Sequence, residues 1–123
     1  MKPSELAGVF LGAGFGGVCR FLASSLLPSV GGFPWTTLGV NVLGSLLAGV
    51  AAATFQPDDP WRLVAVVGFL GGFTTFSAFS VETIQLLRNG QTSSAAGYVL
   101  ASLALGIAAA WGGFSIASGA KVG

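Results

Sequence analysis

The residues with the most chemical character lie between positions 68 and 83. They read Gly68-Phe69-Leu70-Gly71-Gly72-Phe73-Thr74-Thr75-Phe76-Ser77-Ala78-Phe79-Ser80-Val81-Glu82-Thr83. Two features coincide there. Gly71-Gly72 favours a break in a helix, because each glycine gives up more backbone freedom than any other residue. Hydroxyls then crowd the residues that follow. A break frees backbone carbonyls and amides that can hold ions. The plainer alternative is a continuous, glycine-weakened helix whose Ser and Thr bond back to the previous turn. Phe76, Phe79 and Thr83 fall at i, i+3 and i+7, on one face. Thr75 and Ser80 flank that stripe. On a lipid-facing helix such rings are ordinary. In a pore they offer positive ring edges, and hydroxyls offer donors. Together they attract an anion without a fixed charge that would trap it.

Asn41, between Val40 and Val42, is a second polar point far from any loop. Its amide is costly in lipid and must face a partner or a cavity. It serves either as a bond between helices or as a donor to an ion. Other chemistries have little material. There is no histidine, and Cys19 is the lone cysteine. Imidazole metal sites, an imidazole base, an intrachain disulfide and a Cys-pair site are therefore excluded. Without clustered acids, acid–base or covalent catalysis has no support. Gly12-Ala13-Gly14-Phe15-Gly16-Gly17 fits the dinucleotide pattern, but it lies inside an apolar span and the next acid is Asp58. No nucleotide partner follows. A net charge of +1 gives no field for nucleic acid.

The elements that carry these residues follow from the charges. Only 7% of the 123 residues are charged and 53% are hydrophobic, against about 25% charged in an ordinary soluble domain. Lipid is the implied solvent. Residues 6–19, 21–57, 63–81 and 89–120 carry no charge. A helix needs about 20 apolar residues to cross a bilayer. Pro28, Gly31, Gly32 and Pro34 divide the longest run, and the turn Gln56-Pro57-Asp58-Asp59-Pro60 closes it. One all-α membrane domain over 1–123 is expected. Its spans are about 5–27, 36–55, 61–88 and 95–118, with the third broken near 71–74. The first reads as a span rather than a cleaved leader, since Arg20 interrupts it late and five glycines dilute it.

Four spans place Lys2, Arg62 and Lys121 on one side and Arg20 and Arg88 toward the other. Lys/Arg asymmetry sets topology, so this chain carries little instruction about orientation. Either other features orient it, or it inserts both ways and pairs antiparallel with itself. Gly8, Gly12 and Gly16 recur every four residues. Ser102, Gly106 and Ala110 do the same, as do Gly44 and Ala48. Such ridges let helices approach closely in lipid, within one subunit or against a second copy.

Gly39-Val40-Asn41-Val42-Leu43-Gly44-Ser45 and the whole of 68–82 closely resemble the bacterial Fluc fluoride channel family. Gly12-Ala13-Gly14 through Arg20-Phe21 is similar to that family's first-helix pattern. The resemblance implies an antiparallel, dual-topology homodimer with two fluoride pores in the bacterial inner membrane. It implies that Phe76 and Phe79 meet fluoride with their ring edges and that Asn41 donates to the ion. Thr75, Ser80, Glu82 and Thr83 would belong to a polar track. Tyr98 and Ser102 match polar positions of the fourth helix, and Arg20 would attract anions at the vestibule. Backbone carbonyls of Gly71 and Thr74 would hold a structural sodium ion at the dimer centre. Ala78 stands where many relatives have Ser or Thr, Gly106 where another hydroxyl is expected, and Phe21 where Tyr is common.

The function this implies is passive export of fluoride, which relieves its toxicity. Two rivals are open. A small proton-coupled multidrug exporter needs a deep titratable carboxylate, for which Glu82 is the sole internal candidate. A non-transporting subunit of a membrane complex predicts no flux alone.

Overall fold

The computed structural model describes residues 1–27 and 29–122. Pro28, read above as a breaker, and the side chain of Lys121, counted among the charges, lie outside the described residues. The chain is helical nearly throughout. Helix α1 covers Pro3–Leu26 and α2 covers Trp35–Thr54. The third span is two pieces, α3 over residues 60–73 and α4 over Phe76–Arg88. Helix α5 covers Thr92–Val122. Four stretches are long and apolar enough to cross a membrane: Pro3–Leu26, Trp35–Thr54, Pro60–Arg88 and Thr92–Ala120. The chain is accordingly a multi-pass membrane protein.

Local chemistry sets the ends. Pro3 sits in the first turn of α1, where a missing N–H costs nothing. The 27–34 connection turns through Gly31 and Gly32, at φ 65° and 74°, a region open to glycine. The Asp59 side chain accepts a 2.9 Å bond from the Trp61 amide and starts α3. Gly32 lies near Gln91, so the 27–34 and 89–91 connections share one end of the bundle.

Helix α1 packs along α3, α2 packs along α5, and α4 leans on α5. The small-residue ridges make both main pairings. A Cβ added to Gly16 would fall on the Phe69 carbonyl oxygen, and one on Gly72 would fall on that of Ala13. Gly49 and Gly113 do the same between α2 and α5, against Ala110 and Leu46 carbonyls. The ridge 102–106–110 faces α2 through Gly106 and Ala110, and Gly44 receives the Thr74 methyl. All three ridges are thus used inside one chain. The buried cluster is small: Leu38, Leu86, Ala95 and Tyr98, with Phe33, Val42, Phe79 and Ala101 packed on it. Large apolar side chains such as Phe10, Phe15 and Ile107 stay exposed, as expected where lipid is the solvent.

The break falls at the C-terminal edge of the expected 71–74 stretch, past the glycine pair. Gly71–Phe73 is still helical, and the extended residues are Thr74 (ψ 154°) and Thr75 (φ −147°, ψ 116°). Gly72 supplies close contact with α1 at Ala13 rather than the break itself, while Gly71 sits within α3 beside the Val66 carbonyl. Ahead of it, Leu63–Leu70 is wound in the wider π form, and the Gly71 amide reaches back to Val66. Such windings are uncommon and concentrate at functional sites.

Two substitutions separate the roles of the first-helix glycines. Gly16→Ala places a methyl on backbone and should destabilise the protein by about 1–3 kcal/mol. Gly14, with nothing within 4 Å of its Cβ position, should accept alanine without loss. Thermal unfolding in detergent micelles should show Gly16→Ala melting several degrees below Gly14→Ala.

Candidate functional site

The break at Thr74–Thr75 leaves backbone groups that a continuous helix would have paired. Such groups must be satisfied inside protein at membrane depth. The structure solves this with side chains. The Thr75 amide donates to Asn41 Oδ1 at 2.8 Å. Asn41 Nδ2 donates back to the Thr75 carbonyl at 3.0 Å. The amide of one side chain thus pairs with both polar groups of one extended residue, as a neighbouring strand would. Thr74 closes α3: its amide and its hydroxyl both donate to the Leu70 carbonyl, at 2.9 and 2.8 Å. Thr75 opens α4: its hydroxyl accepts from the Ala78 amide at 3.1 Å and lies 3.2 Å from Ser77 Oγ. Thr is among the preferred residues at that cap.

Asn41, Gly71, Thr74, Thr75 and Phe76 line one groove of about 410 Å3, with Ser45 and Ala48 on its α2 side. Phe76, the first residue of α4, is 79% exposed. Its ring centroid lies 5.6 Å from that of Phe79. Phe79 turns inward and meets Tyr98, with centroids 5.1 Å apart. The two rings therefore lead from the groove to the buried cluster. Among the described residues, the Gly71 and Thr74 carbonyls receive no backbone hydrogen bond across the break. Both residues line the groove.

A second polar cluster lies one level away. The Tyr98 hydroxyl donates to Glu82 Oε2 at 2.8 Å, and Thr37 Oγ1 donates to Glu82 Oε1 at 2.7 Å. Tyr98 is fully buried. Thr37 is absent from the sequence-derived set. Its signal is positional, since it stands one helical turn before Asn41 on the same face of α2.

The remaining hydroxyls divide by what their protons do. Ser80 donates to the Phe76 carbonyl at 2.9 Å, and Thr83 to that of Phe79 at 2.8 Å. Each has one proton to give, so both present lone pairs rather than donors. Ser102 differs. Its Oγ is buried without a hydrogen-bond partner among the described residues, which is rare for a buried polar atom. Arg20 stands apart from the groove, on α1, with Nε 3.3 Å from the Gly72 carbonyl.

Replacing Asn41 by leucine keeps its bulk and strands both Thr75 groups. The expected cost is roughly 1–3 kcal/mol per unpaired group. Unfolding in micelles should show the loss, and amide exchange at Thr75 should accelerate more than at Ala95 in the buried cluster.

Known proteins share this chain nearly end to end. The fluoride-specific ion channel FluC of Vibrio campbellii is 40% identical over 92% of the chain and 94% of its own length. That of Novosphingobium aromaticivorans is 44% identical over 90% and 94%. That of Methanopyrus kandleri is 43% identical over 92% and 88%. The family model described as CrcB-like protein, Camphor Resistance (CrcB), matches residues 7–114. That match takes in every helix bearing the groove, so the chain with its Asn41-held break belongs to the CrcB family.

Proposed function

We propose that the chain is a fluoride-selective channel that lets fluoride leave the cell passively and so relieves its toxicity. The observation that carries this reading is the Asn41-held break beside Phe76 and Phe79, in a chain whose relatives are named fluoride-specific ion channels. Fluoride is small and tightly hydrated, so a pore must replace its water with several weak partners that also let it go. Phe76 and Phe79 offer ring edges. Asn41 uses one amide proton on Thr75 and keeps the other for an ion. Ser102 keeps a whole hydroxyl. Thr75, Ser80, Glu82, Thr83 and Tyr98 form the polar track beside them, and Arg20 attracts anions at the vestibule.

The same reading pairs two copies, antiparallel, in the bacterial inner membrane. The near-even Lys/Arg placement supports two orientations. The groove supports a polar partner, because lipid tails cannot satisfy its carbonyls. Sodium fits the Gly71 and Thr74 carbonyls, which are hard oxygen donors beside the negative end of α3. Such carbonyls hold alkali ions in other broken helices. Two per chain leave a shell that a second copy completes. The exporter rival draws little support, since the Glu82 carboxylate already accepts from Thr37 and Tyr98.

Purified protein in liposomes should release fluoride and retain chloride. Phe79→Ile should cut fluoride efflux at least tenfold while leaving assembly in detergent unchanged. Wild-type liposomes that hold their fluoride overturn the proposal.

A further inference from the structure

The first-helix ridge has a fourth member. Gly8, Gly12 and Gly16 are followed, four residues on, by Arg20. The three glycines meet α3 at Val64, at Val64 and Gly68, and at Phe69 and Phe73. Arg20 is the next position on that face, and α3 ends at Phe73. The arginine therefore arrives where its helix partner runs out. Its Nε points to the Gly72 carbonyl at 3.3 Å. Its own carbonyl receives the Ser24 hydroxyl at 3.1 Å. Among the described residues the bond to Gly72 is the only hydrogen bond the Arg20 side chain makes.

The last carbonyls of a helix lack partners and carry its partial negative charge. In α3 the Leu70 carbonyl takes two bonds from Thr74. The Gly72 carbonyl has no such local donor, because the chain has already turned extended at Thr74 and Thr75. A cation with a fixed donor is the group that compensates both the dipole and the lone pair. Glycine at position 72 lets α1 come close enough for the contact.

We propose that Arg20 is a positioning residue as well as a vestibule charge: it caps the C-terminus of α3 and thereby fixes the break from which Phe76 projects. The functional consequence rests on the fluoride reading, whereas the capping does not. On this account the pore is held open from two sides. Asn41 pins Thr75 from α2, and Arg20 pins Gly72 from α1.

Side-chain geometry supplies the test. Gln places its Nε2 at the same bond count as Arg Nε, so Arg20→Gln keeps the donor and removes the charge. Arg20→Met keeps the stem and removes both. Two measurements apply: fluoride efflux from liposomes at saturating fluoride, and, in liposomes or nanodiscs, exchange of the Thr74 amide, the last hydrogen bond of α3. Arg20→Met should exchange Thr74 roughly tenfold faster than Arg20→Gln, the scale of one lost hydrogen bond of this kind. Its saturating efflux should fall below that of Arg20→Gln by a similar factor. A role in anion attraction alone predicts that the two variants match at Thr74, and that added fluoride restores both. That result overturns the proposal. If wild-type protein conducts no fluoride, the channel reading falls and the exchange comparison still decides the cap.

Discussion

A helix interrupted inside a bilayer has a debt that water cannot settle. The pairing of Asn41 with Thr75 meets it, and much else in the structure depends on that pairing. A carboxamide carries one carbonyl and one N–H edge, the same pair that a peptide presents. It can therefore stand in for a strand at a single residue, where a whole strand would not fit. Serine or threonine offers a single oxygen for both Thr75 groups, where the carboxamide offers two separate atoms. An acidic side chain would meet the amide and repel the carbonyl. The location at membrane depth selects the neutral amide, because a charge there costs several kcal/mol more.

The consequences run outward from that residue. With Thr75 fixed in extended form, its hydroxyl is free to cap α4 at Ala78, which sets the direction in which Phe76 leaves the break. Asn41 can hold Thr75 only if α2 keeps its height. Gly49 and Gly113 lock α2 to α5 through backbone contact, without flexible side chains between them. Gly44, one turn beyond Asn41 on the same α2 face, takes the Thr74 methyl. The glycines that make the chain look weak as a set of helices therefore give it a rigid register. Packing in lipid has no hydrophobic drive between helices and relies on such close approach.

The spans were legible because charge is scarce: runs without Asp, Glu, Lys or Arg map onto helices directly. The break was legible in kind and to within a residue, but not in its cause. Two glycines signal a weak point, but Gly72 is consumed by contact with Ala13, and the turn falls to the two threonines after it. Nothing in one-dimensional spacing tells a glycine that bends from one that packs. Thr37 escaped notice for a related reason. Threonine near a span end is commonplace, and its significance depends on Glu82, 45 residues away. Tyr98 and Ser102 entered through resemblance, not through the residues themselves. The π winding over Leu63–Leu70 has no signature among ordinary apolar residues.

The polar groups follow a rule that matters for an anion. Most hydroxyl protons near the groove are already given to carbonyls: Thr74 to Leu70, Ser80 to Phe76, Thr83 to Phe79. The protons of Thr37 and Tyr98 go to Glu82. The protons left uncommitted are few: one on Asn41, one of the Thr75–Ser77 pair, and the hydroxyls of Ser45 at the groove and of buried Ser102. A strongly hydrated ion entering such a site finds partners that are individually weak, each costing little to leave. Denser donors would bind more tightly and conduct more slowly. On the proposed channel reading, the committed protons would serve the same end as the missing lysines: they would keep deep wells out of the path while holding the backbone that shapes it.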